Sequence, residues 1–151
     1  MVSAIRHVGI VVRDINKSSR FYADVLGLKV YMHNVEEGEF IEALTGLPGV
    51  KLEYIKFIIP KGGLIELLQY HRPAHEDAQS APSPSASNAI GCSHIALTVA
   101  DLQATYKKVQ DFGCTAKSAP LTTSNGKAKI LYCHDPDGVI LELIEDVKRP
   151  A

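Results

Sequence analysis

The chain has 151 residues, 46% apolar and 22% charged, with 16 Lys and Arg against 17 Asp and Glu for a formal net charge of -1. This is the composition of one ordinary soluble domain, or of two small modules sharing a core, and it excludes a disordered chain. The charge balance supplies no overall cationic field for a phosphate backbone or an anionic membrane, so neither nucleic acid nor a membrane is expected as a partner.

The N-terminal MVSAIRHVGIVVRDI offers only a five-residue apolar run, Val8 to Val12, before Arg13 and Asp14, too short for a secretory core. No stretch approaches the roughly 20 apolar residues that span a bilayer. Cys92, Cys114 and Cys133 form no metal-binding or redox cluster, and three cysteines cannot all pair within a chain. A reducing, cytoplasmic setting is expected, with the cysteines as packing residues.

In chain order, HVGIVVRDI begins at His7 and ends at Asp14, with the alternation of Val8, Ile10 and Val12 that marks a largely buried strand. Asp14 suits an N-cap, and Ile15, Tyr22, Val25 and Leu26 share one face of a helix that stops at Gly27. Strand-like segments follow at Leu28 to Tyr31, Val50 to Ile59 and Leu64 to Tyr70. Between the first two, Glu39 to Lys51 reads as a flap or rim, its glycines and Pro48 interrupting helix and strand alike. The stretch from Pro73 to Ala89 is rich in Pro, Ser and Ala and lacks periodicity, as a linker does.

The second half repeats the first. HIALTVADL runs from His94 to Asp101, with the same seven-residue separation of His and Asp. Leu102, Tyr106, Val109 and Phe112 form a helix face before Gly113, and strands are expected at Ala128 to Cys133 and Val139 to Ile144 across the turn HDPDG. The chain therefore divides into a first module at 1–75, a linker at 76–89 and a second module at 90–147. Each is too small to fold comfortably alone, so the two sheets are expected to complete each other within the chain or across a dimer.

Glu66 in LIELLQY and Glu142 in VILELIE interrupt strands otherwise fit for burial, where an ionised carboxylate is costly unless paired or metal-bound. With His7 and His94, one His and one Glu per half, they make a nitrogen and oxygen donor set suited to one divalent ion such as Zn, Ni, Co, Mn or Fe. His33, His71, His75 and His134 lack the repeated context. Glu145, at an odd offset from Glu142, belongs on the other, wetter face of its strand.

HVGIVVRDINKSSRFYADVLGLKV, LIELLQY, SHIALTVADL and HDPDGVILELIE together resemble the vicinal oxygen chelate superfamily, the glyoxalase, bleomycin-resistance and dioxygenase group. The resemblance implies an α+β fold of two βαβββ modules forming an incomplete barrel around a central cleft, commonly as a homodimer. It places the metal ligands on His7, Glu66, His94 and Glu142, as in metal-dependent glyoxalase I and close to methylmalonyl-CoA epimerase. The implied chemistry is a lyase, isomerase or epimerase step on a small-molecule substrate, in which a proton next to a carbonyl moves through a metal-stabilised enediolate or enolate. Glu142 would serve as both ligand and base, with Glu66 its counterpart, and Glu42 is the candidate for the epimerases' second carboxylate. The alternatives in the group are an iron-dependent dioxygenase and a non-catalytic drug-binding protein. Two positions depart from glyoxalase I: Val11 stands where an arginine clamps a glutathione carboxylate, and Tyr70 where an asparagine is usual. Valine cannot make a bidentate clamp.

Overall fold

The computed structural model describes residues 1–74, 76 and 84–147, so His75 and much of the expected linker lie outside the described residues. The chain forms two compact units, Met1–Ala81 and Pro82–Ala151. In the first, strand β1 (His7–Val11) leads into helix α1 (Ile15–Arg20), then β2 (Lys29–Glu37), helix α2 (Glu39–Thr45), β3 (Lys51–Ile58) and β4 (Leu64–Arg72). In the second, β5 (Ile95–Thr98) leads into α3 (Leu102–Asp111), β6 (Leu121–Thr122), β7 (Ala128–His134) and β8 (Ile140–Asp146).

The sheets have the same plan. Their strand orders are β1-β4-β3-β2 and β5-β8-β7-β6. β1 runs parallel to β4 and β5 parallel to β8, while the other neighbours are antiparallel. A parallel pair needs a crossover, and α1 or α3 opens it in each unit. Each is therefore a βαβββ module with an open four-stranded sheet, and the class is α+β. No helix among the described residues is long and apolar enough to cross a membrane.

Alternation in the strands sets the core. In the first unit Ile10, Val12, Ile55, Phe57, Ile65 and Leu67 are buried. Tyr22 packs its ring 5.5 Å from Phe21 and 6.0 Å from Phe57. In the second unit Leu131, Cys133, Leu141 and Leu143 are buried together with Leu102 and Val109 of α3. Burial pushes the Cys133 thiol up to about 12, with Cys114 and Asp135 adding to the effect, so it is an inert packing group. Cys92 is exposed, Cys114 half-buried, and neither is in a disulfide.

Both helices start as their sequences indicate. Asp14 accepts hydrogen bonds from the amides of Asn16 and Lys17, and Asp101 from that of Ala104. The expected 3.6-residue periodicity after Arg20 gives way to a π-helical turn, Phe21–Val25, which buries Phe21, Tyr22 and Val25 together. The chain leaves it through Gly27 at a φ of 71°.

Two expectations need correction. The segment after Gly38 is not an irregular flap: Glu39–Thr45 is helical, and the glycines flank rather than break it, Gly46 ending it at a φ of 71°. Ile41 anchors that helix on Val50 and Leu52, with Leu47, Leu68 and Tyr70 around them. β2 also runs well past Tyr31, to Glu37. It is an exposed edge strand with a register shift between Val30 and Met32, so it lacks the apolar alternation that would have marked it.

Polar contacts fasten this edge. Tyr54 donates to Glu36 across 3.0 Å, and Arg72 pairs with Glu37. Glu53 takes His33 on one oxygen and His71 on the other, each at 2.7 Å. Burial alone would push the Glu53 carboxyl up, but hydrogen bonds from His71 and His33, with their charge, outweigh it and hold it below the usual carboxylate range.

Two predictions follow from local conformation and charge. Nothing lies within 4 Å of a Cβ built at Gly27, so the cost of a side chain there is backbone strain alone. Gly27→Ala should lose about 1 kcal/mol in urea unfolding and Gly27→Val more. A depressed native carboxyl stabilises above its unfolded value of about 4, and that stabilisation disappears as pH falls through the native value. Glu53→Gln should therefore cost about 1 kcal/mol near neutral pH. The gap from wild type should close on acidification; a gap that stays constant with pH would contradict this account.

Candidate functional site

The register of the parallel pair places the first cluster. Gly9 of β1 lies opposite Glu66 of β4, with His7 two residues earlier on the same face. The His7 Nε2 is 3.1 Å from Glu66 Oε2. The carboxylate belongs to an interior strand and Glu66 is only 8% exposed, so it needs partners. Its second partner comes from β3, where Lys56 lies directly across from Glu66 and sets Nζ 3.2 Å from Oε1. The same ammonium sits 4.9 Å from the centre of the Tyr54 ring. Glycine at position 9 keeps the approach open, since a Cβ there would lie 3.1 Å from Leu68 Cδ1 and 3.9 Å from Glu66 Oε2.

The second unit repeats the arrangement with different neighbours. Ala96 of β5 and Tyr132 of β7 flank Glu142 of β8, where the first unit has Gly9 and Lys56 flanking Glu66. His94, just before β5, sets Nε2 2.9 Å from Glu142 Oε2. Its Nδ1 lies 3.1 Å from Ser93 Oγ, and its ring centre is 5.0 Å from that of Tyr132. Among the described residues Glu142 has no lysine partner.

The opposite faces of β4 and β8 tie the helices to these clusters. Gln69, three residues after Glu66, accepts the Ile15 amide at 2.8 Å, and Glu145, three after Glu142, accepts the Leu102 amide at 2.7 Å. Glu145 thus lies on the face its offset requires, but it serves the start of α3 rather than simply facing water. A helix N-terminus favours such an acceptor.

Each pair sets an imidazole nitrogen beside a carboxylate, donor types that divalent ions accept, at the 2.9 to 3.1 Å of a His–Glu hydrogen bond or ion pair. Each unit brings together one such pair, and among the described residues no group of three or more His, Cys, Asp or Glu is placed to hold a metal ion.

The remaining sequence candidates have surroundings of their own. His33 and His71 bind opposite oxygens of Glu53. His134 is buried in β7 with Nδ1 3.0 Å from Thr115 Oγ1, and burial, helped by Lys117, lowers its basicity. Glu42 is half-buried on α2. Val11 is exposed at the end of β1, whereas Tyr70 is occupied in the small apolar cluster under α2. Sequence reading overlooked Lys56 and Tyr132. The signal for Lys56 was the one used for the glutamates, a charge within an apolar strand; Tyr132 carried none, since a tyrosine is ordinary there.

Comparison with known proteins places the chain in a family. Residues 4–143 match the Glyoxalase/Bleomycin resistance protein/Dioxygenase superfamily, and the chain belongs to that family. It is 31% identical over 140 residues to a probable lactoylglutathione lyase of Synechocystis, covering 92% of each protein. A glyoxalase family protein from Bacillus cereus superposes with a TM-score of 0.85 at 23% identity, over 98% of this chain and 97% of that one. The fosfomycin resistance protein FosX from Listeria monocytogenes has the same fold at a TM-score of 0.63 and 16% identity, over 97% and 96% of the two chains. The fold thus serves proteins with different names, and the chemistry has to be argued from side chains.

Proposed function

We propose that this protein is a divalent-metal-dependent lyase or isomerase that moves a proton at a carbon next to a carbonyl. The observation that carries the reading is the repeated His and Glu pair, His7 with Glu66 at 3.1 Å and His94 with Glu142 at 2.9 Å. Each pair offers an imidazole nitrogen and a carboxylate, donors that suit an ion of the Zn, Ni, Co, Mn or Fe kind. Such an ion supplies positive charge at the carbonyl oxygen, which lowers the barrier to deprotonating the adjacent carbon. The names of relatives, among them the probable lactoylglutathione lyase of Synechocystis, fit this class.

The two glutamates divide the work. Both oxygens of Glu66 are engaged, Oε2 by His7 and Oε1 by Lys56, which suits a fixed ligand. Among the described residues Glu142 has only His94 as an ion-pair partner, through Oε2, and its other oxygen is the better placed to take a proton from carbon. Returning that proton to the neighbouring carbon isomerises the substrate, whereas inversion at the same carbon requires a second acid on the opposite face. Val11 and Tyr70 give no counterpart of the glutathione-clamping groups, which directs the search to other carbonyl substrates.

Metal analysis tests the reading. Protein purified without chelator and reconstituted with each ion should carry about one ion per chain. His7→Ala and Glu142→Ala should each weaken ion binding at least about 100-fold while circular dichroism stays that of the wild type. Retention of a full complement of tightly bound ion in both variants would sink the proposed ligand set. Failure of the wild type to take up any ion would move the protein to the small-molecule-binding members of the family.

A further inference from the structure

The hydroxyl of Ser93 stands between His94 and the chain that precedes it. Its Oγ is 3.1 Å from His94 Nδ1 and 3.2 Å from the Ser87 carbonyl oxygen. The other ring nitrogen, Nε2, is 2.9 Å from Glu142 Oε2. Ser87, Ser93, His94 and Glu142 thus form one continuous run of polar contacts, and all four belong to the second unit. A hydroxyl has a single proton to give but can also accept, so the direction of this run is set by which imidazole nitrogen carries hydrogen.

We infer that Ser93 is a positioning residue that lets His94 move its hydrogen from one ring nitrogen to the other without turning, so that Nε2 can pass from hydrogen-bond donor to metal ligand. The inference rests on the metal-enzyme reading above and deepens it, since it assigns the control of one ligand. With Glu142 as its partner, Nε2 carries the hydrogen and donates to Oε2, while the bare Nδ1 takes the Ser93 hydroxyl proton. When Nε2 gives its lone pair to a divalent ion, the ring hydrogen sits on Nδ1. Ser93 Oγ then accepts from Nδ1 and turns its own proton to the Ser87 carbonyl. The neutral ring keeps one hydrogen throughout. Ser93 makes one hydrogen bond in the first arrangement and two in the second, so the hydroxyl favours the arrangement that frees Nε2.

The surroundings hold the parts in place. Ser85, two residues before Ser87, donates its amide to the Gly138 carbonyl at 3.0 Å and accepts from Lys117 Nζ at 3.0 Å. The Tyr132 ring lies against the imidazole, with centres 5.0 Å apart. The segment before His94 therefore does more than join two modules, because it carries the acceptor that completes the run. In the first unit the residue before His7 is Arg6, whose guanidinium cannot accept a hydrogen bond, so the device belongs to the second half-site.

Long-range proton–nitrogen NMR of the histidine rings, assigned with a His94→Asn variant, reads the tautomer, and calorimetric titration with zinc reads the affinity. In metal-free wild type at alkaline pH, His94 should carry hydrogen on Nε2; in zinc-loaded protein it should carry it on Nδ1, protected from exchange with water. Ser93→Ala should keep the wild-type circular dichroism, bind zinc about tenfold more weakly and lose that protection, and Ser93→Thr, which retains the hydroxyl, should recover both. Zinc affinity of Ser93→Ala equal to wild type, equal losses in the Ala and Thr variants, or hydrogen on Nδ1 before zinc is added would overturn the role of Ser93 while leaving the metal site standing. A wild type that takes up no zinc would instead remove the metal-enzyme reading, and the inference with it.

Discussion

A carboxylate within an otherwise apolar strand is costly unless it is paired, and this constraint organises both halves of the molecule. Glu66 on β4 and Glu142 on β8 each have a parallel strand on one side and an antiparallel one on the other, and the partners that satisfy them come from those neighbours. On the parallel side the answer is a histidine, at 3.1 Å in one unit and 2.9 Å in the other. The crossover through α1 or α3 is what makes that parallel neighbour available, so the helix exists in the same topology that creates the pair.

On this shared frame the neighbours diverge. Gly9 answers to Ala96, Lys56 to Tyr132 and Gln69 to Glu145. The first pair alters the room above the carboxylate, the second its charge, and the third the charge of the group that receives a helix amide. Backbone repetition therefore does not imply equal roles for the two glutamates: Glu66 is saturated by two partners, whereas Glu142 is held by one.

Much of this was legible in the sequence because it is written in short-range pattern. The His-headed apolar strands, the N-caps Asp14 and Asp101 and the glycine exit at Gly27 rest on period-two alternation and turn chemistry, and the structure shows them in place. The meeting of His7 with Glu66 and of His94 with Glu142 was legible only through the repeat, since each pair joins residues about 50 or more positions apart. What the sequence concealed lay where pattern is absent or tertiary. β2 is an exposed edge whose pairing comes from β3; α2 sits between glycines that mark loops as readily as helix ends; and the helix bonds of Gln69 and Glu145 appear only when strand and helix pack.

Those last two bonds have a consequence for how the chain can change. Three positions separate Glu66 from Gln69 and Glu142 from Glu145, an odd number that sends one side chain to each face of its strand. Inserting or deleting a single residue within either triplet would make the interval even. The carboxylate would then be carried into the apolar layer, or the helix amide would lose its acceptor, and no adjustment of a nearby loop could restore both. The parity of each interval is therefore locked, while connections such as Gly46 to Val50 can lengthen or shorten without disturbing it. Length variation in this architecture is confined to the turns, and the strands that carry the glutamates behave as fixed rulers.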